Sequence, residues 1–200
     1  MRLFIAINLN SDTKDGLLAL RDELRSGAER GNFSLPENLH LTLAFLDECD
    51  HKQAAAAKAA MSAVRFEPFE LLIERIGRFG GRGGGRGGGR GGESPGPVGH
   101  PLFKEGLGGR DGQEETLWWA GVRVNEPMEQ LHRELNDNLK AAGFFLDTRR
   151  FSPHITLGRR VVSDAAPRRV EPFGETVRHI DLMKSERIAG KLTYTAIFRK

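Results

Sequence analysis

The sequence is poor in cysteine and has no long apolar run. Cys49 is the single cysteine among 200 residues, so no internal disulfide can form, and its surroundings show no metal-site spacing. No apolar stretch approaches the roughly 20 residues of a membrane span, and the first residues show no basic region followed by such a stretch. These absences argue against a disulfide-stapled or membrane-spanning protein, and we expect a soluble, cytoplasmic one.

A strong excess of one charge sign is also missing. The chain has 30 Lys and Arg against 27 Asp and Glu, which gives a net charge of +3. This mild excess suits a polyanionic ligand but is too common to identify one. With 38% hydrophobic residues, the chain can bury a core as one domain or as two fused lobes.

The first half of the chain alternates strand and helix patterns. The predicted elements are, in order, a strand at 2–8, a helix capped by Ser11 or Asp12 and ending near Gly27, a strand carrying His40, an alanine-rich helix at 53–64 and a strand at 69–76.

The second half repeats this order. Its predicted elements are a strand at 117–124, a helix from Pro127 to Gly143, a strand carrying His154, and closing strands at 177–183 and 192–198 joined by a hairpin around Ala189 and Gly190. A strand, a helix and a His-bearing strand therefore occur twice, with the two histidines 114 positions apart (154 − 40). We interpret this as a diverged duplication that builds one bilobal domain from residues 1–200.

Between the halves lies a low-complexity segment rich in glycine and arginine. Seventeen of the 25 glycines fall between Gly77 and Gly112, and such a composition has little to bury and much backbone entropy to lose. We predict a mobile insertion at about 78–115. It is either a neutral expansion in a tolerant loop or a cationic arm for RNA, in which Arg78, Arg82, Arg86 and Arg90 are spaced by four.

The His-bearing strand of each half has the pattern His, apolar, Thr, apolar, at residues 40–43 and 154–157. Because successive side chains of a strand point to opposite faces, each strand buries its apolar pair and presents an imidazole beside a hydroxyl. Two of the six histidines share this pattern. A duplication would place His40 and His154 across one cleft; the alternative is a pair of structural histidines with strand-forming threonines.

Two facing imidazoles suit displacement at phosphorus. With an ordinary pKa of about 6.5, one histidine can take a proton from water while the other protonates the leaving oxygen. The hydroxyls of Thr42 and Thr156 can donate to the non-bridging oxygens, where charge collects in the transition state. We predict no metal and no cofactor, since this chemistry needs none and no carboxylate cluster accompanies the histidines.

The doubled motif resembles that of the 2H phosphoesterases, and residues 2–7, 38–46 and 153–157 look most like their RNA 2′,3′-cyclic phosphodiesterase branch, also called 2′-5′ RNA ligases. The resemblance implies an α+β fold of two antiparallel sheets with outer helices, related by a pseudo-twofold axis around a central cleft. It also implies hydrolysis of a 2′,3′-cyclic phosphate to a 2′-phosphomonoester. His40 matches the family's proton donor and His154 its proton acceptor. The predicted insertion departs from the family pattern.

Two further residues are candidates for the rim of the cleft. Phe45 and Arg159 each lie five places after a motif histidine. Phe45 is a candidate for stacking on a base, and Arg159 for holding a phosphate, with core packing and solvated surface as the respective alternatives. Trp118 and Trp119 adjoin in a strand, so one should lie in the core and the other is a candidate base platform.

Three functions remain open at this stage. The leading one takes RNA with a 2′,3′-cyclic phosphate end as its substrate. A second takes a small cyclic nucleotide or ADP-ribose cyclic phosphate. A third is a non-catalytic RNA-binding protein that uses the Gly/Arg-rich arm and leaves the histidines idle. We expect a monomer that does not interact with membranes.

Overall fold

The computed structural model describes residues 1–80, 115–147 and 149–200. Most of the predicted insertion, including Arg82, Arg86 and Arg90, lies outside these residues. Its predicted start at residue 78 is wrong, because Arg78 and Phe79 continue the pairing of a strand with its neighbour.

In the described residues the chain forms nine strands and three helices. They are β1 (Arg2–Asn8), α1 (Ser11–Ser26), β2 (Ala28–Phe33), β3 (His40–Glu48), α2 (His51–Ala63), β4 (Phe69–Phe79), β5 (Thr116–Val122), α3 (Glu126–Ala141), β6 (His154–Ser163), β7 (Arg168–Val177), β8 (Asp181–Ile188) and β9 (Lys191–Arg199). A short 3-10 turn, Pro36–Asn38, precedes β3.

The strands form two antiparallel sheets. One has the order β3-β1-β8-β9, and the other has the order β2-β6-β5-β4-β7. Apart from the added edge strand β2, the two orders correspond, and each motif strand pairs with the first strand of its own half, β3 with β1 and β6 with β5. The predicted α+β fold of two antiparallel sheets is confirmed.

The two halves of the sequence are interleaved in space. Strand β4 follows the first motif in the chain but pairs with β5, while β8 follows the second motif but pairs with β1. Each sheet therefore contains strands from both halves, and the two motif strands are held in one framework rather than in separable units.

The apolar residues of the motif strands form part of the main core, as the alternation predicts. Leu41 of β3 and Ile155 and Leu157 of β6 are fully buried there, together with Leu131 and Leu135 of helix α3. The histidine and threonine of each motif lie on the opposite face of their strand. That face is supported by two smaller apolar clusters. One consists of Phe4, Ala6 and Met183, and the other of Phe79, Leu117 and Trp119.

Two strands, β2 and β7, were not predicted from the sequence. Strand β2 contains Gly31 and only two apolar side chains, and β7 contains Pro172 and Gly174, so neither has a strong strand pattern. Both lie at an edge of the second sheet, where pairing on one side makes the strand and such residues are tolerated. The predicted strand at 177–183 is wrong as one element, because β7 ends at Val177 and β8 begins only at Asp181.

The helix boundaries follow their caps. Helix α1 is capped by Asn10, whose side chain accepts a hydrogen bond from the backbone N–H of Thr13 at 2.8 Å, so the predicted cap at Ser11 or Asp12 is wrong. Asp50 and Gln53 form a capping box at α2. In the described part of the chain, no helix is long and apolar enough to cross a membrane.

Candidate active site

A cleft of about 470 Å³ brings the two motifs together. The six residues singled out from the sequence all line it: His40, Thr42, Phe45, His154, Thr156 and Arg159. Residues that are 114 positions apart in the chain thus meet in one cavity, which is large enough for a nucleotide-sized ligand.

The ring of His40 is oriented by a hydrogen bond to the backbone of the turn that precedes β3. The 3-10 turn before β3 brings the Asn38 carbonyl oxygen to 2.8 Å from His40 Nδ1. Because a carbonyl oxygen only accepts, Nδ1 carries a hydrogen and donates a hydrogen bond to it. In the neutral ring Nε2 is then an acceptor, and it lies 3.1 Å from Thr42 Oγ1. The first motif therefore presents an imidazole nitrogen and a hydroxyl side by side.

His154 repeats the arrangement. Its Nδ1 lies 2.8 Å from the Ser152 carbonyl oxygen, across Pro153, so the same tautomer is set and Nε2 is again the nitrogen left for chemistry. Among the described residues, however, His154 and Thr156 form no hydrogen bond to each other, unlike His40 and Thr42. The second hydroxyl is thus not engaged by its motif imidazole.

Aromatic rings flank both imidazoles. Phe4 and Tyr194 lie with ring centroids 4.9 and 5.3 Å from that of His40, and Phe79 lies 5.4 Å from that of His154. No local sequence pattern marks these three residues as part of the site. Strand alternation gives the face on which a side chain lies, but only the pairing of strands distant in sequence shows that it reaches a histidine.

Burial shifts the titration of both imidazoles. It lowers the pKa of His40 to about 4, against the opposing effect of the Asn38 hydrogen bond, and the positive charge of Arg159 lowers it further. Burial is also the main cause of the lowered pKa of His154, and Arg159 again contributes. Without an anionic ligand, both rings are therefore neutral at neutral pH.

Arg159 acts on both histidines from the wall of the cleft. It lies on β6, and burial lowers the pKa of its guanidinium, which nevertheless stays charged. A half-buried cation that lines the same cleft as two neutral imidazoles is a ready binding partner for a phosphodiester. The alternative of a solvated surface arginine is at odds with this burial.

Phe45 and the tryptophans show how packing decides among aromatic residues. Phe45 lines the cleft but also packs against the cluster formed by Phe4, Ala6 and Met183. Trp118 is fully buried in the core. Trp119 is only 7% exposed, because it fills the space left by Gly77, where an added Cβ would lie 2.4 Å from the ring. The interpretation of Trp119 as a base platform is therefore wrong.

His132 also lines the cleft, although it follows no motif in the sequence. Its ring stacks on Phe151 with centroids 3.8 Å apart and lies 3.0 Å from the amide nitrogen of Asn136. Burial lowers the pKa of this imidazole to about 4. The stacking on Phe151 holds helix α3 against the loop that enters β6.

Possible metal ligands are sparse in this region. Within residues 1–80, 115–147 and 149–200, no three His, Cys, Asp or Glu side chains are grouped closely enough to hold a metal ion. Cys49 is buried away from the cleft, and burial raises the pKa of its thiol.

Comparison with known proteins identifies the family. The profile of the family described as LigT like Phosphoesterase matches residues 7–87 and 122–194. The chain therefore belongs to the LigT-like phosphoesterases, within the 2H class that the doubled motif resembles.

Individual relatives agree with this assignment. A protein named RNA 2′,3′-cyclic phosphodiesterase from Archaeoglobus fulgidus is 29% identical over 159 residues, covering 80% of this chain and 72% of its own. One of the same name from Geobacillus stearothermophilus is 27% identical, over 81% of this chain but only 43% of its own length. The apo crystal structure of LigT from E. coli superposes with a TM-score of 0.70 at 23% identity, covering 100% of this chain and 95% of that one, and so shares the fold.

Proposed function

We propose that this protein hydrolyses the 2′,3′-cyclic phosphodiester end of RNA to a 2′-phosphomonoester, by acid/base catalysis with His40 and His154. The observation that carries the proposal is the shared geometry of the two rings. Each donates Nδ1–H to a backbone carbonyl oxygen two residues earlier, and each lines the same cleft. Relatives named RNA 2′,3′-cyclic phosphodiesterase support the choice of substrate.

The reaction needs one proton acceptor and one proton donor. Neutral His154 accepts a proton from water through Nε2, and the water oxygen forms the new bond to phosphorus. The bond from phosphorus to the 3′-oxygen breaks, and protonated His40 supplies the proton that this oxygen requires. The 2′-oxygen keeps its bond to phosphorus, so the product is a 2′-phosphate.

Binding of the substrate favours the protonated form of His40. The anionic phosphodiester places a negative charge beside both imidazoles, which favours their charged form and raises their pKa values from the low values of the free site. Arg159 and the hydroxyls of Thr42 and Thr156 line the same cleft, and in this scheme they stabilise the charge on the non-bridging oxygens. No step of this scheme requires a metal or a cofactor.

We further infer that residues 1–200 act as one bilobal catalytic unit, because strands from both halves enter each sheet. Monomeric state and cytoplasmic location remain predictions. Hydrolysis of small cyclic nucleotides or of ADP-ribose cyclic phosphate is the alternative within the same chemistry. A purely RNA-binding role gives no use to two matched imidazoles.

The test compares substrates and identifies the product. We expect turnover of an oligonucleotide ending in a 2′,3′-cyclic phosphate, with a 2′-phosphate product, at equal rates with and without EDTA. Phosphorus NMR of the product and a rate measured after chelation are the readouts. A 3′-phosphate would reverse the histidine roles, and activity lost in EDTA and restored by a divalent metal would refute the metal-free scheme. Faster turnover of 2′,3′-cyclic AMP than of the oligonucleotide would favour the small-substrate alternative.

The lowered pKa values predict an acid-shifted profile for the free enzyme. Catalysis needs one of the two histidines protonated and the other neutral. This singly protonated pair prevails between the pKa values of the pair, and those of His40 and His154 both lie below the ordinary 6.5. We therefore expect a bell-shaped profile of kcat/KM with its maximum below pH 6.5, falling as rising pH removes the last proton. The maximum of kcat should lie at higher pH, because the bound phosphate raises both pKa values. Coincident maxima on the alkaline side of 6.5 would contradict this account.

A further inference from the structure

The only tyrosine of the chain, Tyr194, stands beside the first motif. It lies on β9, the edge strand of the first sheet, and lines the cleft. Its ring meets that of His40 edge-on, at 5.3 Å and 85°, and that of Phe4 at 5.0 Å and 75°. The ring is therefore fixed from two sides next to the proposed proton donor.

The second motif provides a natural comparison. Phe79 meets the His154 ring in the same way, edge-on at 5.4 Å and 84°. An edge contact that supports an imidazole thus works with a phenyl ring, and the hydroxyl of Tyr194 adds nothing to it. The hydroxyl must be considered separately from the ring.

In the part of the chain that the structure describes, no residue forms a hydrogen bond with that hydroxyl. Burial raises the pKa of Tyr194, so the phenol stays protonated and remains a donor. The positive charge of Arg159 opposes this rise in the pKa of Tyr194 without cancelling it. Since Arg159 comes from β6 of the other sheet, a donor from each sheet faces the cleft.

We propose that Tyr194 is a substrate-binding residue whose hydroxyl donates a hydrogen bond to a non-bridging oxygen of the substrate phosphate, opposite Arg159. This inference rests on the proposed function. The hydrogen bond would lie on the side of His40, where the 3′-oxygen departs, and would strengthen as charge builds on the phosphoryl oxygens. Tyr194 would thus act mainly on the transition state.

Tyr194→Phe tests this directly, because it removes the hydroxyl and keeps the ring that packs on His40. We expect kcat/KM for a 2′,3′-cyclic nucleotide to fall about 10- to 100-fold, mostly in kcat, as for the loss of one donor to a developing negative charge. Thr193→Val is the matched control: it removes a hydroxyl from the preceding residue, which among the described residues bonds only to the Lys191 carbonyl oxygen at 3.3 Å and is not part of the cleft lining. The control should retain the wild-type rate.

Phosphorothioate substrates separate direct contact from a structural effect. The two diastereomers of a nucleoside 2′,3′-cyclic phosphorothioate replace one or the other non-bridging oxygen by sulfur, a weaker acceptor. Wild type should discriminate against the diastereomer whose sulfur faces Tyr194, and Tyr194→Phe should lose that discrimination. A Tyr194→Phe variant with the wild-type rate, or with the wild-type diastereomer preference, would overturn the inference while the proposed function stands. A wild-type chain inactive on all cyclic phosphates would overturn both.

Discussion

Replacing His40 or His154 by alanine should lower kcat for a 2′,3′-cyclic phosphate by about 10²- to 10⁴-fold, the usual contribution of one general acid or base. Each ring presents Nε2 to the cleft and is oriented by the Asn38 or Ser152 carbonyl oxygen. Neither loss can be compensated by the other motif. The double variant should be little slower than either single one, because the two groups act in the same step.

The control is His51→Ala, which removes an exposed imidazole at the start of α2, outside the cleft. It should leave the rate unchanged. Circular dichroism of all variants checks that the fold survives. A soluble, folded His40→Ala or His154→Ala with a rate close to that of wild type would remove the two-histidine mechanism.

A substrate with an activated leaving group assigns the two roles. A nitrophenolate departs without needing a proton, so a nitrophenyl phosphodiester should restore much of the activity of His40→Ala. His154→Ala should stay impaired, because water must still be deprotonated. The reverse pattern would mean that His154 is the acid and His40 the base.

The extent to which the sequence predicted this site depends on the kind of contact. Alternation in a strand placed the motif residues on one face and their apolar neighbours in the core, and Leu41 and Ile155 are indeed fully buried. The duplication placed the two motifs across one cleft. Both inferences needed only local pattern and one internal repeat.

The flanking residues were beyond such reasoning. Phe79 lies at the end of β4, next to the low-complexity run, and Tyr194 lies on a strand from the far end of the chain. Their contacts with His154 and His40 depend on the exchange of β4 and β8 between the halves, which local patterns do not encode. The pKa shifts could not be anticipated either, since they arise mainly from burial in the folded cleft.

Arg159 should prove the most important binding residue outside the motifs. Arg159→Met keeps much of the side-chain length but removes the charge and the donors, and we expect kcat/KM to fall about 10- to 100-fold, the value of charge-assisted hydrogen bonds to one phosphate. Arg159→Lys keeps a charge without the planar fork and should lie between Arg159→Met and wild type. Arg160→Met is the matched control. It removes a charge from the next residue, which pairs with Glu115 at 3.9 Å and lies outside the cleft, so it should have the wild-type rate.

The pH profile tells a direct electrostatic role of Arg159 from a structural one. The positive charge of Arg159 contributes to the lowered pKa values of both His40 and His154. Removing it makes both rings easier to protonate, so both limbs of the kcat/KM profile of Arg159→Met should move to higher pH. Arg159→Lys should hold them near their wild-type positions, because the charge remains. An Arg159→Met profile that coincides with that of wild type would show that this guanidinium does not act on the histidine pair, and an unchanged rate would make it a surface residue.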